Sequence, residues 1–155
     1  TACRRQRQMC IRDRMKVGMA EMLKDIAKKK AKKDKIALLQ QARKTPHLFA
    51  FLKYVFKDSI MWDLPEGAPP YKKQPKESDL QHMFYSEFRR LKIFMKGEYP
   101  QMKPVKRETL FIEFLESLDP DDAELVIAMK DKKLPFKGLT KKTVCEAFGK
   151  DTVGW

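Results

Sequence analysis

Apolar side chains return at intervals of three and four along most of this chain, in short runs that proline, glycine or lysine cuts off. A strand exposed on one face would alternate every second residue. This longer period argues for short amphipathic helices packed stripe to stripe. Met19, Met22, Leu23 and Ile26 give the first stripe and predict a helix from Lys16 to about Lys29. Ile36, Leu39 and Ala42 give a second, from about Asp34 to Arg43. Thr45 and Pro46 form a start signal, Thr as N-cap and Pro at the first helical position, ahead of Leu48, Phe51, Leu52 and Val55. Ser78-Asp79-Leu80-Gln81 fits the capping box. It predicts a helix with Leu80, Phe84, Phe88, Leu91 and Met95 on one face and a stop at Gly97. Pro104 precedes a helix faced by Leu110, Phe111, Phe114, Leu115 and Leu118. At the next start Asp119 caps, Pro120 fits N1, and Asp121, Asp122 and Glu124 suit the positive end of the helix dipole, with Leu125, Val126 and Met129 inward. Thr140 caps a last short helix through Phe148. Seven short helices without a strand make an all-α fold in one compact domain.

Between Ser59 and Glu77 the period vanishes. Leu64–Tyr71 carries three Pro and one Gly in eight residues, which predicts a long extended loop. A length of 155 residues suits one domain with a useful core, and 43% hydrophobic residues is too many for a disordered tail. The longest apolar run, Leu48–Leu52, stops at Lys53, far short of the roughly 18 to 20 residues of a membrane span. No membrane partner and no leader peptide are expected, and a cytoplasmic setting follows.

Residues 1–14 hold five Arg and no Lys, whereas Lys heavily outnumbers Arg in the rest. The segment resembles the peptide obtained when sequencing-adapter reads are translated in metagenomic assemblies, which would make Met15 or Met19 the true start. The competing reading is an Arg-rich arm for RNA or DNA. The organisation expected is 1–14 as artefact or disordered arm, 15–150 as a single helical domain and 151–155 as a tail. Three cysteines, Cys3, Cys10 and Cys145, share no repeated spacing, so neither a disulfide framework nor a zinc site is expected. Cys145 falls on the apolar face of the last helix, where a buried inert thiol is usual.

Two ordered blocks carry a family likeness: Leu64–Tyr71 (LPEGAPPY) and Lys106–Phe148 (KRETLFIEFLESLDPDDAELVIAMKDKKLPFKGLTKKTVCEAF), with Met22–Gln41 (MLKDIAKKKAKKDKIALLQQ) similar to the front of the same family. They resemble a small uncharacterised protein family of T4-like marine tailed phages, over most of residues 19 to 148. The resemblance implies a phage gene product made in the cytoplasm of an infected bacterium. It assigns no catalytic or binding residues.

The formal net charge is +13, an excess that favours a polyanionic partner. Removing residues 1–14 lowers it to +9. It is unevenly spread: residues 15–60 carry +8, residues 61–104 carry +2 and residues 105–155 carry −1. Lys28, Lys29, Lys30, Lys32 and Lys33 are the candidate phosphate contacts, with Arg89 and Arg90 as additions. Each phosphate neutralised releases counterions and gives affinity without sequence reading. The plainer reading is a solvated face between two helices. Tyr54, Phe56, Trp62 and Tyr71 stand near lysines and would suit base stacking, although core or loop anchors are the commoner role for such residues.

Catalytic chemistry is hard to place. The acidic group at Asp119–Glu124 lacks the alternating ligands and central Gly of a calcium loop. His47 and His82 lack zinc spacing or a nearby Cys. No Gly-rich phosphate loop is present, and Glu113 and Glu116 suit an exposed face. A helix-turn-helix reading would leave the last helix few groups for bases beyond Lys141 and Lys142. No cofactor, no metal and no enzyme activity are expected. The leading expectation is a non-enzymatic accessory protein of phage DNA or RNA metabolism that binds nucleic acid weakly. The alternative is a protein-interaction module that docks on phage or host transcription or replication machinery, or on the virion. Its docking loop would be Leu64, Pro65, Pro69, Pro70 and Tyr71, since extended Pro-rich segments are common ligands.

Overall fold

Helices form where the stripes put them. α1 spans Met19–Lys28, α2 Lys32–Ala42, α3 Pro46–Phe56, α4 Met83–Glu87, α5 Pro104–Glu116, α6 Pro120–Lys130 and α7 Lys141–Phe148, and a 3-10 segment, Phe88–Phe94, continues α4. The computed structural model describes residues 17–78 and 80–149. The expectations for residues 1–14, for Met15 as a start, for Cys3 and Cys10, for Asp79 and for the tail lie outside them. Among the described residues the fold is all-α. An isolated antiparallel bridge pairs Trp62 with Met95, closed by Asp63 N–H to the Phe94 carbonyl and Lys96 N–H to the Met61 carbonyl, both at 2.9 Å.

α2 packs chiefly on α7, α1 on α2 and α6, α3 on α6, and α5 on α6 and the 3-10 segment. The stripe residues of these elements form one core cluster, in which Phe51, Phe84, Phe94 and Phe114 are the largest fully buried side chains. Phe94 meets Phe111 and Phe114 with ring centroids 5.2 and 5.8 Å apart. Each such ring contributes about 2–3 kcal/mol by burial, and each pair about 1 kcal/mol more. Phe49, half-buried, turns its ring edge to Phe148 at 5.1 Å. No helix among the described residues is long and apolar enough to cross a membrane.

The expected helix at Ser78 is the main departure. No capping box forms: α4 begins only at Met83, behind His82, which makes no side-chain cap. The helix then tightens instead of running on to Gly97. Phe88, Leu91 and Phe94 are spaced by three and all are buried. Three residues per turn stack them in one line, whereas an α-helix would turn Phe94 about 120° away from Phe88. Met95, expected on the buried face, is extended at φ −79° and ψ 139° and half-buried at the bridge. Gly97 therefore does not end this helix: it lies in the turn after the bridge, at φ +96°, a conformation that favours glycine. Thr45 sits at the N-cap of α3 as expected, with Pro46 at the helix start, but its hydroxyl makes no cap bond. Cys145 is a free, half-buried thiol rather than a buried one.

Candidate nucleic-acid interface

The lysine cluster wraps a corner. α1 ends at Lys28, Lys29 is extended (φ −64°, ψ 132°), and α2 opens behind an extended Ala31 (φ −78°, ψ 132°). Lys28, Lys29, Lys30, Lys32 and Lys33 are all exposed. Lys28 pairs with Asp25 at 3.2 Å and Lys32 with Glu146 at 2.8 Å. Both pairs are solvent-exposed and hold their lysines weakly. Lys29, Lys30 and Lys33 make no ion pair among the described residues. Lys28, in the last turn of α1, suits the negative end of that helix dipole. Lys32 and Lys33 open α2, at the end where a cation is disfavoured by a few tenths of a kcal/mol (about 0.3 or more each).

Arg89 and Arg90 lie elsewhere, on the 3-10 segment, whose main neighbours are α4 and α5. Arg89 is exposed. Arg90 donates to Glu87 at 3.0 Å and lies 6.0 Å from the Phe114 ring centroid, so its charge is already engaged.

The Pro-rich loop lies on the body. Lys130 Nζ donates to the Pro65 carbonyl at 2.7 Å, Lys72 N–H to the Glu116 carboxylate at 3.1 Å and Gln74 to the Glu116 carbonyl at 2.8 Å. Leu64, Pro69 and Tyr71 are half-buried, while Pro65 and Pro70 are exposed. Glu116, expected on an exposed face, is therefore a loop anchor. Tyr54 stacks on Phe88 (5.6 Å, 10°) and meets the edge of Trp62 (6.1 Å), the anchoring role weighed against base stacking. Beside Trp62 opens a cleft of about 480 Å³ edged by Asp58, Lys132 and Lys141, with Lys141 and Asp58 paired at 2.8 Å.

Residues 22–135 match the model of a family of unknown function, DUF6433. The chain belongs to this family. No curated protein and no solved structure matches it. The DUF6433 match runs from α1 through the end of α6 and stops before α7. It therefore includes the whole lysine corner, the Pro-rich loop and three charged residues whose burial was not expected, Arg107, Asp122 and Lys130.

Those three residues sit in register with apolar stripes, which is the signal that could have found them. Arg107 precedes Phe111 by four and Phe114 by seven; Asp122 precedes Leu125 and Val126; Lys130 follows Val126 and Met129. Arg107 forms an ion pair with Asp63 and donates to the Tyr99 carbonyl at 2.8 Å. Lys130 joins Asp131 to the loop. Asp121 and Asp122 stand in the first turn of α6 as expected, and Asp122 has a further role. Asp119 does cap its own helix, accepting from Asp121 N–H at 3.1 Å, but Asp122 is buried and accepts the Ala20 N–H of α1 at 2.9 Å. Its second oxygen is buried without a hydrogen-bond partner among the described residues. Burial pushes the Asp122 carboxyl up to about 6 against the pull of the Ala20 N–H, and Asp119 and Asp121 add to the rise. Burial first, and then Asp122, push the neighbouring Tyr85 hydroxyl up to about 12. Asp121 and Glu124 face outward to Lys24 (2.8 Å) and Lys73 (2.6 Å). Among the described residues no group of His, Cys, Asp or Glu is placed to hold a metal ion.

Proposed function

We propose that the protein is a non-enzymatic nucleic-acid-binding accessory protein, acting through the lysine corner between α1 and α2. One observation carries the reading. Lys33 stands exposed at the positive end of α2, where a cation is disfavoured, beside Lys29 and Lys30; no carboxylate among the described residues neutralises any of the three, and Lys32 at the same end makes only an exposed pair with Glu146. Charge kept against a local electrostatic preference has a use other than stability. A row of exposed ammonium groups offers phosphates point charges without base readout, which gives weak, sequence-independent binding to DNA or RNA. The likeness of Leu64–Tyr71 and Lys106–Phe148 to a family of T4-like marine phages supports a role in the cytoplasm of an infected bacterium. The alternative, a protein-docking role for the Pro-rich loop, has only Pro65 and Pro70 exposed on a segment otherwise tied to Lys130 and Glu116, so the lysine corner is the reading preferred.

Fluorescence polarisation of a labelled duplex against salt tests this. Dissociation constants of about 1–100 µM at physiological salt are expected. Replacing Lys29, Lys30 and Lys33 together by Ala should flatten the slope of log K against log salt by roughly 2 to 3, about 0.9 per lost phosphate contact. Binding absent at low salt, or a slope the triple variant leaves unchanged, refutes the assignment.

A further inference from the structure

A second feature lies at the other end of the α5–α6 pair. The short connection from Glu116 to Pro120 puts the start of α6 beside the end of α5. The start of α5 is therefore about 20 Å from the start of α6, where Lys28 shares a hollow with Asp119 and Asp121. Just ahead of α5 opens a cleft of about 560 Å³, lined by Glu98, Tyr99, Gln101, Met102, Lys103 and Lys106 among others. Tyr99 is 48% exposed, the only exposed aromatic side chain among the described residues. Aromatic rings usually hide their area, and every other one here does so at least in part. Its backbone is braced: the Tyr99 carbonyl accepts from the Arg107 guanidinium at 2.8 Å and from Met102 N–H at 3.2 Å, and Arg107 is itself buried and paired with Asp63. Lys103 and Lys106 are exposed and make no ion pair among the described residues.

We propose that this cleft is a nucleotide subsite for single-stranded nucleic acid, in which a base stacks on Tyr99 and Lys103 and Lys106 take the adjoining phosphates. An exposed ring on a fixed backbone in a cleft shared with two lysines is what a single strand uses, because every base has a π-face and stacking tolerates any sequence. Met102 supplies apolar contact beside the ring. Gln101 supplies both a donor and an acceptor, and Glu98 an acceptor, for base edges or sugar hydroxyls. A duplex keeps its bases stacked on one another and gains nothing from Tyr99. The subsite rests on the nucleic-acid reading of the protein but not on the lysine corner. It would give the protein a preference for unpaired strands that the corner alone does not.

NMR titration of the full chain with thymidine monophosphate, alongside inorganic phosphate, tests the subsite whatever the corner does. The nucleotide should move the Tyr99 ring and Met102 methyl resonances, and phosphate should move only those of the lysines. Polarisation with a twelve-nucleotide oligothymidylate and a duplex of equal length supplies the second arm. Tyr99→Ala should weaken single-strand binding about tenfold while leaving duplex binding and the salt slope alone, and Tyr99→Phe should retain wild-type affinity. The backbone bond from Arg107 does not involve the ring, and the amide spectrum of each variant shows whether the fold is kept. The proposal is overturned by Tyr99 resonances that ignore the nucleotide, by equal losses on single and double strands, or by an acidic leucine-bearing peptide shifting Tyr99 where the nucleotide does not. Loss of duplex binding in the corner variant with the nucleotide response intact would separate the two readings.

Discussion

Asp122 should make stability fall as pH rises. The carboxyl is buried, one oxygen caps α1 through Ala20 N–H and the other has no hydrogen-bond partner among the described residues. Its folded-state pKa of about 6 lies above its ordinary value of 3.8. A raised carboxyl binds its proton more tightly folded than unfolded, so its contribution is complete below pH 3.8 and is lost as pH climbs through 6. A separation of about two units, at 1.36 kcal/mol each, sets the total near 3 kcal/mol, of which about 2 kcal/mol falls between pH 4.5 and 7.5. Asp122→Asn keeps an acceptor for Ala20 and cannot ionise. Its amide leaves a buried donor unpaired, a cost of about 1–3 kcal/mol that does not change with pH. The informative quantity is therefore the difference in unfolding free energy between wild type and Asp122→Asn, measured by urea denaturation at the two pH values. It should shift by about 2 kcal/mol toward the variant on going from pH 4.5 to 7.5. A difference constant to within about 0.5 kcal/mol, or an Asp122 carboxyl carbon titrating near pH 4 by NMR, would refute the reasoning.

Two further changes probe other buried or strained charges. Arg107→Met should lower stability by about 2 kcal/mol, because it strips the Tyr99 carbonyl and Asp63 of a charged donor; an unchanged urea midpoint would show the guanidinium to be idle. Lys132 occupies the left-handed position, φ +57°, of a Schellman end to α6, with Lys133 N–H bonded to the Ala128 carbonyl and Lys132 N–H to that of Met129. Its ammonium donates to the Tyr54 and Lys57 carbonyls at 3.0 and 2.7 Å. Lys132→Ala loses those bonds and keeps the strained backbone, whereas Lys132→Gly loses the bonds and relaxes it. The glycine variant should be about 1 kcal/mol the more stable of the two by urea denaturation, and equal stabilities would mean that the backbone is unstrained there.

The stripes were legible because burial at helical pitch leaves a record in the order of residues. α1, α2, α3, α5, α6 and α7 fall where they were read, and the starts at Pro46, Pro104 and Pro120 follow from the fixed φ of proline. The record failed where a second solution fits the same letters. Phe88, Leu91 and Phe94 satisfy a period of three, yet Phe84, Phe88 and Leu91 also satisfy the three-and-four spacing of an α-helix. Only the packing of Phe94 between Phe111 and Phe114 decides. Of the candidate site, the lysine corner was legible as a run of like charge. Tyr99 was not, because nothing local marks an aromatic residue as uncovered. Its backbone is held by Arg107, itself paired with Asp63, 44 residues away, and no local pattern records such a contact.

Capping shows the same limit and explains how such short helices hold. Of the seven α-helices among the described residues, only α6 and α7 are capped by the side chain at their own N-cap, Asp119 and Thr140. Helices of 5 to 13 residues are marginal alone, and unmet terminal groups weaken them further. Three termini are met from far along the chain: α1 by Asp122 across 102 residues, α3 by Lys132 across 75 and 78, and α5 by Gln74 across 42. A remote cap needs only a polar atom within reach once the helices are packed, so no spacing rule can announce it. It also couples the helices. The first turn of α1 gains a bond from α6, and the last turn of α3 gains two from the turn after α6. Both links meet at α6, so loosening that helix should weaken the end turns of α1 and α3 together.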